Sequence, residues 1–166
     1  MNNLMNLISK NKSEAKYTTL ISIDIKGAFN SLWWPSIVQT LSADGCPIEL
    51  INSITDYLDN RNIEFNYGSL SIKHKIQKGC PQGSCLGPFL WSVIANKILN
   101  QAWDPATKLQ AFADDFIFTI TSDNRKDLEL KAHQALHKFM DWAFNEKLQI
   151  SEKKNPSNSI WQKRQY

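Results

Sequence analysis

The chain has 166 residues, of which 42% are hydrophobic and 21% charged, and its formal net charge is +3. This balance is typical of one globular domain and excludes a disordered, collagen-like or coiled-coil chain. The longest apolar stretch, residues 89–95, is far shorter than the roughly 20 residues that span a bilayer. Residues 1–16 lack the apolar core of a secretion signal. We therefore expect an intracellular protein without a membrane partner, and the sequence does not distinguish cytoplasm from nucleus.

The predicted elements follow the order β-α-α-β-β-loop-α-β-β-α-β. Runs of β-branched and alternating apolar residues predict the strands, and apolar residues at helical spacing predict the helices. The strands are 18–25, a hairpin over 63–78, a pair over 108–121 and a short strand 148–150; the helices are 34–43, 47–58, 89–102 and 127–146; residues 79–88 form a glycine- and proline-rich loop. This order predicts an α+β fold with a mainly antiparallel sheet covered by helices on one face.

Cysteine and histidine give no sign of a metal centre. The odd number of cysteines predicts reduced thiols and not a disulfide framework. His133 and His137 have metalloprotease spacing, but residue 134 is Gln and the general-base Glu is missing. An ordinary surface helix is the favoured interpretation.

Three aspartates stand out by their context. Asp24 ends an apolar strand, and Asp114-Asp115 interrupts the apolar run 109–118. An aspartate pair alone is typical of a hairpin turn. Because adjacent strands lie about 4.8 Å apart, however, a strand-end carboxylate beside that turn can share a cation with it. Mg²⁺ prefers oxygen ligands, and two such ions about 3.5–4 Å apart promote phosphoryl transfer.

Four segments follow one another in a characteristic order. They are DIKGAFN at 24–30, GCPQGSCLGP at 79–88, FADD at 112–115, and residues 142–154, which end in a lysine. Together they resemble the four palm motifs of reverse transcriptases from non-LTR, LINE-like retrotransposons. Each motif alone is weak, but four in the right order are specific. The resemblance covers about residues 17–155.

The resemblance implies an RNA-directed DNA polymerase. Its partners would be an RNA template, a DNA primer and deoxynucleoside triphosphates, and its cofactor two Mg²⁺ ions, which Mn²⁺ can replace. Asp24, Asp114 and Asp115 would bind the metals, assisted by the Ile25 carbonyl. The reaction would be nucleotidyl transfer to the primer 3′-hydroxyl.

The resemblance implies roles for further residues, each with a plainer alternative. Phe29 would be the aromatic gate that clashes with a ribose 2′-hydroxyl, or a core aromatic beside a strand. Gln82-Gly83 would bind phosphate or the template backbone, or form an ordinary helix-entry loop. Lys154 would protonate the leaving pyrophosphate, or be a solvated lysine in a basic tail.

Aromatic residues near the basic hairpin segment also have two possible roles, base stacking or packing in the core. Trp33, Trp34, Phe65 and Tyr67 could stack on bases, but the favoured interpretation places them in the core. The sequence departs from the usual motifs at three positions. Asn30 stands for the frequent Asp and Cys85 for an aliphatic residue, and neither touches the metal chemistry. Phe112 stands for the commoner Tyr, a change found within this branch of the family.

The expected organisation is a lead-in at 1–16, a palm at 17–155 and a tail at 156–166, with fingers and thumb largely absent. We accordingly expect the chain alone to fold, to bind divalent metal and to show little polymerase activity. The alternative function is a non-catalytic palm remnant that binds nucleic acid or a partner. An RNA-dependent RNA polymerase or a nucleotide cyclase is disfavoured by Gln82-Gly83 and by the FADD motif. The sequence leaves the oligomeric state open.

Overall fold

The structure, a computed structural model, describes residues 17–81 and 83–151. Ten helices and strands lie within these ranges. They are β1 (Tyr17–Asp24), α1 (Ala28–Ser31), α2 (Trp34–Ala43), α3 (Ile48–Leu58), β2 (Asn62–Tyr67), β3 (Leu70–Lys75), α4 (Gly87–Leu99), β4 (Thr107–Phe112), β5 (Asp115–Ser122) and α5 (Arg125–Asn145). No helix among these residues is long and apolar enough to cross a membrane. The described chain divides into two compact units, one of residues 17–25, 98–143 and 150–151, the other of residues 26–81, 83–97 and 144–149.

The first unit is built on an antiparallel sheet with strand order β1-β5-β4. Burial along β1 alternates, with Thr19, Ile21 and Ile23 buried. These residues pair with Ile120, Phe118 and Phe116 of β5, which are also buried. Because side chains alternate across a strand, this register gives the sheet one apolar face.

Aromatic side chains fasten α5 to that apolar face. The Phe139 ring lies 5.0 Å from Phe116 and 5.7 Å from Phe118, both edge-to-face. Trp142 lies 5.6 Å from Phe116 and 5.1 Å from Phe139. Each such ring pair adds about 0.5–1.5 kcal/mol beyond the burial of its apolar area. This aromatic cluster therefore packs α5 on the apolar face of the sheet.

The first turn of α5 is fixed by polar contacts. The Ser122 hydroxyl donates a 2.6 Å hydrogen bond to Asp127, and the Lys131 ammonium lies 2.9 Å from the same carboxylate. The hydrogen bond from Ser122, together with Lys131, holds the pKa of Asp127 below its usual range. An anionic Asp127 in this turn also complements the positive end of the helix dipole.

The second unit contains α1 to α4 and the hairpin β2-β3. In it, the buried Glu146 carboxylate pairs with the Lys97 ammonium of α4 and accepts a hydrogen bond from the Ser36 hydroxyl of α2. The Lys97 ammonium also donates to the Ser36 hydroxyl at 3.3 Å. A buried carboxylate is costly without such partners, so these contacts tie residue 146 to α2 and α4.

The predicted order of elements is confirmed, with local differences. Helix α2 has the predicted bounds. The single turn α1 was not predicted, because four residues show no helical periodicity. The predicted strand 148–150 forms only one bridge, between Ile25 and Ile150. Strand β3 ends at Lys75 instead of continuing to residue 78.

Substituting Phe139 tests the aromatic cluster. We expect Phe139→Ala to lower the free energy of unfolding by about 3–5 kcal/mol, because it leaves a cavity among the three rings that pack on Phe139. The neighbouring Met140 is 58% exposed. The control Met140→Ala should therefore change the free energy of unfolding by less than about 0.5 kcal/mol. Urea denaturation of both variants measures the difference, and equal losses would contradict this packing.

Candidate active site

A two-residue turn joins β4 to β5. Phe112 pairs with Asp115, so Ala113 and Asp114 form the turn. Ala113 has φ of +54°, a left-handed conformation that costs a residue with a side chain about 1–2 kcal/mol. Strain of this kind persists only where the surrounding structure enforces it, and it is common at functional sites. The turn thereby holds Asp114 and Asp115 at the end of the sheet.

Asp24 lies directly opposite Asp115 in the β1-β5 pair. The two residues are out of phase with the buried Ile23 and Phe116, so their side chains lie on the face of the sheet opposite the aromatic cluster. Directly opposed residues have Cβ atoms about 4.5–5.5 Å apart. The structure therefore brings Asp24 and Asp115 together on one face.

Backbone hydrogen bonds fix the end of β1. The Ile25 N–H donates to the Asp114 carbonyl at 3.4 Å, and the Ser151 N–H donates to the Asp24 carbonyl at 2.8 Å. The Ile25 side chain is 1% exposed. The hydrogen bond and the buried side chain hold Ile25 beside the turn. They thereby fix the spatial separation of Asp24 and Asp114.

The carboxylates of this site have no ion-pair partner in the part of the chain that the structure describes. Among the described residues, no side chain donates a hydrogen bond to Asp24, Asp114 or Asp115 or forms an ion pair with them. Like charges directly opposed across two strands destabilise a sheet. A cation bound to their oxygens would remove that cost, and these are the ligand atoms that Mg²⁺ prefers.

The donor set therefore fits a hard divalent cation in its chemistry. Within residues 17–81 and 83–151, however, no three His, Cys, Asp or Glu side chains already surround one point as a metal cluster. Of the three aspartates expected to bind metal, the strand register places Asp24 and Asp115 directly opposite each other.

Phe29 and the start of the second motif belong to the other unit. Phe29 is half-buried on α1, and its ring lies 6.3 Å from that of Trp91. Its carbonyl accepts a hydrogen bond from the Cys80 N–H at 2.9 Å. The ring thus packs beside Trp91, and the role of Phe29 as a sugar gate stays a prediction.

Gly79 is a positioning residue that sequence reasoning missed. It has φ of +83°, and a Cβ there would lie 2.8 Å from the Asn30 carbonyl oxygen. Its N–H donates to the Leu32 carbonyl at 2.7 Å. Only glycine permits this approach of the loop to α1. The glycine was visible in the sequence, but its neighbour 49 positions earlier was not.

The loop that follows leads into α4. Cys80 is buried, and burial raises the pKa of its thiol against the opposing effect of the Arg61 charge. Gly83 is exposed, with φ of +80° and open space around its Cα. The Ser84 hydroxyl accepts a hydrogen bond from the N–H of Gly87, the first residue of α4. Gln82 and Lys154, the other two predicted site residues, lie outside the described residues.

The aromatic residues near the hairpin have diverse environments. The Lys147 ammonium lies 3.5 Å from the centre of the Trp33 ring, and the Trp34 indole N–H donates to the Gly79 carbonyl at 2.7 Å. Phe65 is 59% and Tyr67 76% exposed. The favoured core interpretation is therefore wrong for Phe65 and Tyr67. His133 and His137 are exposed on α5, as predicted.

Comparison with known proteins assigns the chain to a family. Residues 1–158 match the profile of the reverse transcriptase (RNA-dependent DNA polymerase) family. The chain belongs to the reverse transcriptase family. The opposed aspartates lie in the two segments that resemble the first and third palm motifs of this family.

The relatives are proteins of non-LTR retrotransposons. The chain is 29% identical over 130 residues to a putative 115 kDa protein of the type-1 retrotransposable element R1DM of Drosophila melanogaster, covering 78% of the chain and 12% of that protein. It is 24% identical over 160 residues to the RNA-directed DNA polymerase from the mobile element jockey of the same organism, covering 93% of the chain and 17% of the polymerase. The chain thus spans less than a fifth of the length of these relatives.

A solved structure shares the fold. The apo telomerase of Candida tropicalis, truncated from its C-terminal domain, superposes with a TM-score of 0.60 at 16% identity, over 95% of this chain and 36% of the telomerase chain. At this identity the likeness establishes the fold, a mixed helical and antiparallel reverse-transcriptase palm, and nothing further.

Substituting Asp115 tests the charge balance of the site. Without divalent metal, we expect Asp115→Asn to raise the free energy of unfolding by roughly 0.2–1 kcal/mol, because it removes like-charge repulsion from Asp24. With Mn²⁺ present, the wild type should gain stability and the variant much less, because a ligand stabilises the state that binds it. Thermal unfolding with and without Mn²⁺ measures both effects.

The matched control is Asp56→Asn, which removes the same charge from an exposed residue of α3. It should leave the stabilisation by Mn²⁺ unchanged. If Asp115→Asn and the wild type gained the same stability from Mn²⁺, the metal would not bind at the opposed aspartates.

Proposed function

We propose that this chain is the catalytic palm segment of an RNA-directed DNA polymerase of a non-LTR retrotransposon. The observation that carries the proposal is the placement of Asp24 opposite Asp115, in the two motifs that a reverse transcriptase palm uses for metal-dependent nucleotidyl transfer. The substrates would be an RNA template, a DNA primer and deoxynucleoside triphosphates. The names of two relatives support this, the jockey polymerase and the probable RNA-directed DNA polymerase from transposon X-element of Drosophila melanogaster.

The carboxylates of Asp24, Asp114 and Asp115, with the Ile25 carbonyl, would hold two Mg²⁺ ions. When bound, these ions would neutralise the charge of the phosphates and activate the 3′-hydroxyl of the primer. The strained turn at Ala113 contributes by keeping the carboxylates placed before substrate arrives. Such preorganisation avoids the cost of ordering the ligands during the reaction.

Residues of the other motifs would act on the substrates. The backbone at Gln82-Gly83 would bind a phosphate or the template backbone with its N–H groups, and the left-handed conformation of the exposed Gly83 supports this use. Lys154 would donate a proton to the leaving pyrophosphate. The half-buried ring of Phe29 would exclude a ribose 2′-hydroxyl.

Grafting tests the proposed activity. The aligned 160 residues of the jockey polymerase are replaced by those of this chain, and extension of a DNA primer on an RNA template is measured. We expect the chimera to synthesise DNA. Asp24→Asn in the chimera should lower the rate by at least about 10³-fold, because a metal ligand worth several kcal/mol of charge stabilisation is lost.

The control in this experiment is again Asp56→Asn, which should retain the rate of the parent chimera. A chimera that folds and binds primer-template but makes no DNA would support the alternative of a non-catalytic palm. Equal rates for the parent and Asp24→Asn would remove Asp24 from the reaction.

The same chimera tests Phe29. We expect Phe29→Ala to raise the use of ribonucleotides relative to deoxyribonucleotides by at least about tenfold, because the steric barrier to a 2′-hydroxyl is removed. Phe29→Tyr keeps the ring and should keep the ratio. If Phe29→Ala left the ratio unchanged with activity intact, the ring would serve only to pack against Trp91.

A further inference from the structure

Two histidines lie on the solvent face of α5. His133 and His137 are both exposed, and they are four residues apart on a continuous helix. Since each residue turns a helix by about 100°, the two side chains leave the helix axis within about 40° of each other. The buried Phe139 and Trp142 lie on the other side of the helix, against Phe116 of the sheet. The histidine pair is therefore accessible to solvent and separate from the buried face of α5.

The spacing of the pair brings two imidazole rings within reach of one metal ion. Cβ atoms four residues apart on a helix are about 5–6 Å apart, and two histidines spaced in this way are the zinc ligands of many metalloproteases. In those enzymes the residue after the first histidine is a glutamate that acts as general base. Residue 134 of this chain is Gln. The pair therefore lacks the base for hydrolysis but retains both nitrogen ligands.

A carboxylate orients one of the two rings. His137 Nδ1 lies 3.1 Å from an oxygen of Asp141, which is one helical turn further along α5. Because an ionised carboxylate only accepts hydrogen bonds, Nδ1 carries the proton, and the electron pair of the neutral ring is on Nε2. Nε2 lies on the side of the ring away from Asp141, and His133 is one turn away on that side. A carboxylate that binds the second nitrogen of a histidine ligand fixes the ring and raises its basicity.

The charged groups beside the pair favour a cation. The Lys138 ammonium donates to the Ala102 carbonyl at 2.7 Å, and the Lys131 ammonium lies 2.9 Å from the Asp127 carboxylate. Both neighbouring lysines are thus held by other groups. The Asp141 carboxylate adds a negative charge next to the rings. A divalent ion at the pair would therefore meet a net attraction.

The donor atoms select the class of metal ion. Imidazole nitrogen suits Zn²⁺, Cu²⁺ and Ni²⁺, whereas Mg²⁺ prefers oxygen ligands. Within residues 17–81 and 83–151, no third His, Cys, Asp or Glu side chain completes a cluster at the pair. Water would occupy the remaining positions of the ion, so we expect an exchangeable ion and not a closed structural site.

We propose that His133 and His137 bind a divalent transition metal ion of the Zn²⁺ class, with Asp141 as the residue that positions the His137 ring. This site lies on the far side of α5 from the sheet, whereas Asp24 and Asp115 lie on the opposite face of that sheet. It uses none of the residues assigned to nucleotidyl transfer. The proposal therefore stands or falls independently of the polymerase function.

NMR signals of the histidine rings in the full chain test the proposal. The chain has three histidines, and the third, His74, is exposed on β3, where it provides an internal control. Zn²⁺ is added in the presence of excess Mg²⁺, which competes for carboxylate sites. We expect the ring signals of His133 and His137 to shift together and to saturate at a Zn²⁺ concentration at least tenfold below the one that shifts His74. The reason is that the second imidazole binds an ion already held by the first.

Three substitutions separate a shared ion from binding to single rings. We expect His133→Ala to weaken Zn²⁺ binding at His137 at least tenfold, because one imidazole then holds the ion alone. His74→Ala is the matched control and should leave the binding unchanged. Asp141→Asn should weaken the binding by about tenfold, because the carboxylate that orients the ring is lost. These side chains are all exposed, so the variants should fold, which circular dichroism verifies.

Four outcomes would overturn the proposal. If all three histidines shifted at the same Zn²⁺ concentration, the metal would be an adventitious ion only. Unchanged binding in His133→Ala would show that the two rings do not share an ion, and unchanged binding in Asp141→Asn would remove the positioning role of Asp141. Loss of the shifts in excess Mg²⁺ would show that oxygen ligands, and not the imidazoles, hold the ion.

Discussion

The pairing of β1 with β5 is the constraint on which the first unit depends. One register sets Ile23 against Phe116 on the face that packs on α5, and Asp24 against Asp115 on the opposite face. A slip of one residue would exchange the faces, placing carboxylates among the aromatic rings and apolar side chains in water. The hydrophobic core therefore selects the register, and the register in turn places the carboxylates of the candidate active site.

The site carries local costs that this core can offset. The left-handed Ala113 costs about 1–2 kcal/mol, and the opposed carboxylates cost about 0.2–1 kcal/mol. Against these, each fully buried large side chain contributes about 1.5–3 kcal/mol, and Phe116, Phe118 and Phe139 are all fully buried. A site with unbalanced charge and a strained turn is thus compatible with a stable sheet. A bound cation would remove the electrostatic part of the cost.

The parts of the molecule that the sequence predicted are those with a local signal. Helix α2 has both a proline in its first turn and a clear apolar period, and its bounds were correct. The proximity of Asp24 to the aspartate turn followed from strand ends and is confirmed by the register. Contacts between distant residues gave no such signal. The burial of Glu146 against Lys97, for example, depends on packing that no pattern of one segment encodes.

The exposed hairpin is a second case in which a local sequence pattern did not predict the contacts of a segment. Its strands and turn were predictable from alternation, but alternation also predicts that one face is covered, and the described residues leave both faces open. Exposure is a property of what surrounds a segment, so Phe65 and Tyr67 were assigned to a core that does not include them.

The most direct test of the account is to locate bound Mn²⁺ on the folded chain by paramagnetic broadening of backbone amide signals. A cation held by the opposed aspartates must broaden the amides that flank Asp24 and the turn at Ala113 before any others. We predict loss of signals from residues 22–25 and 113–117 at substoichiometric Mn²⁺, while those of the acidic turn at Asp127 persist. Broadening centred on Asp127 or another surface acid, with residues 22–25 unaffected, would contradict the assignment of the metal site.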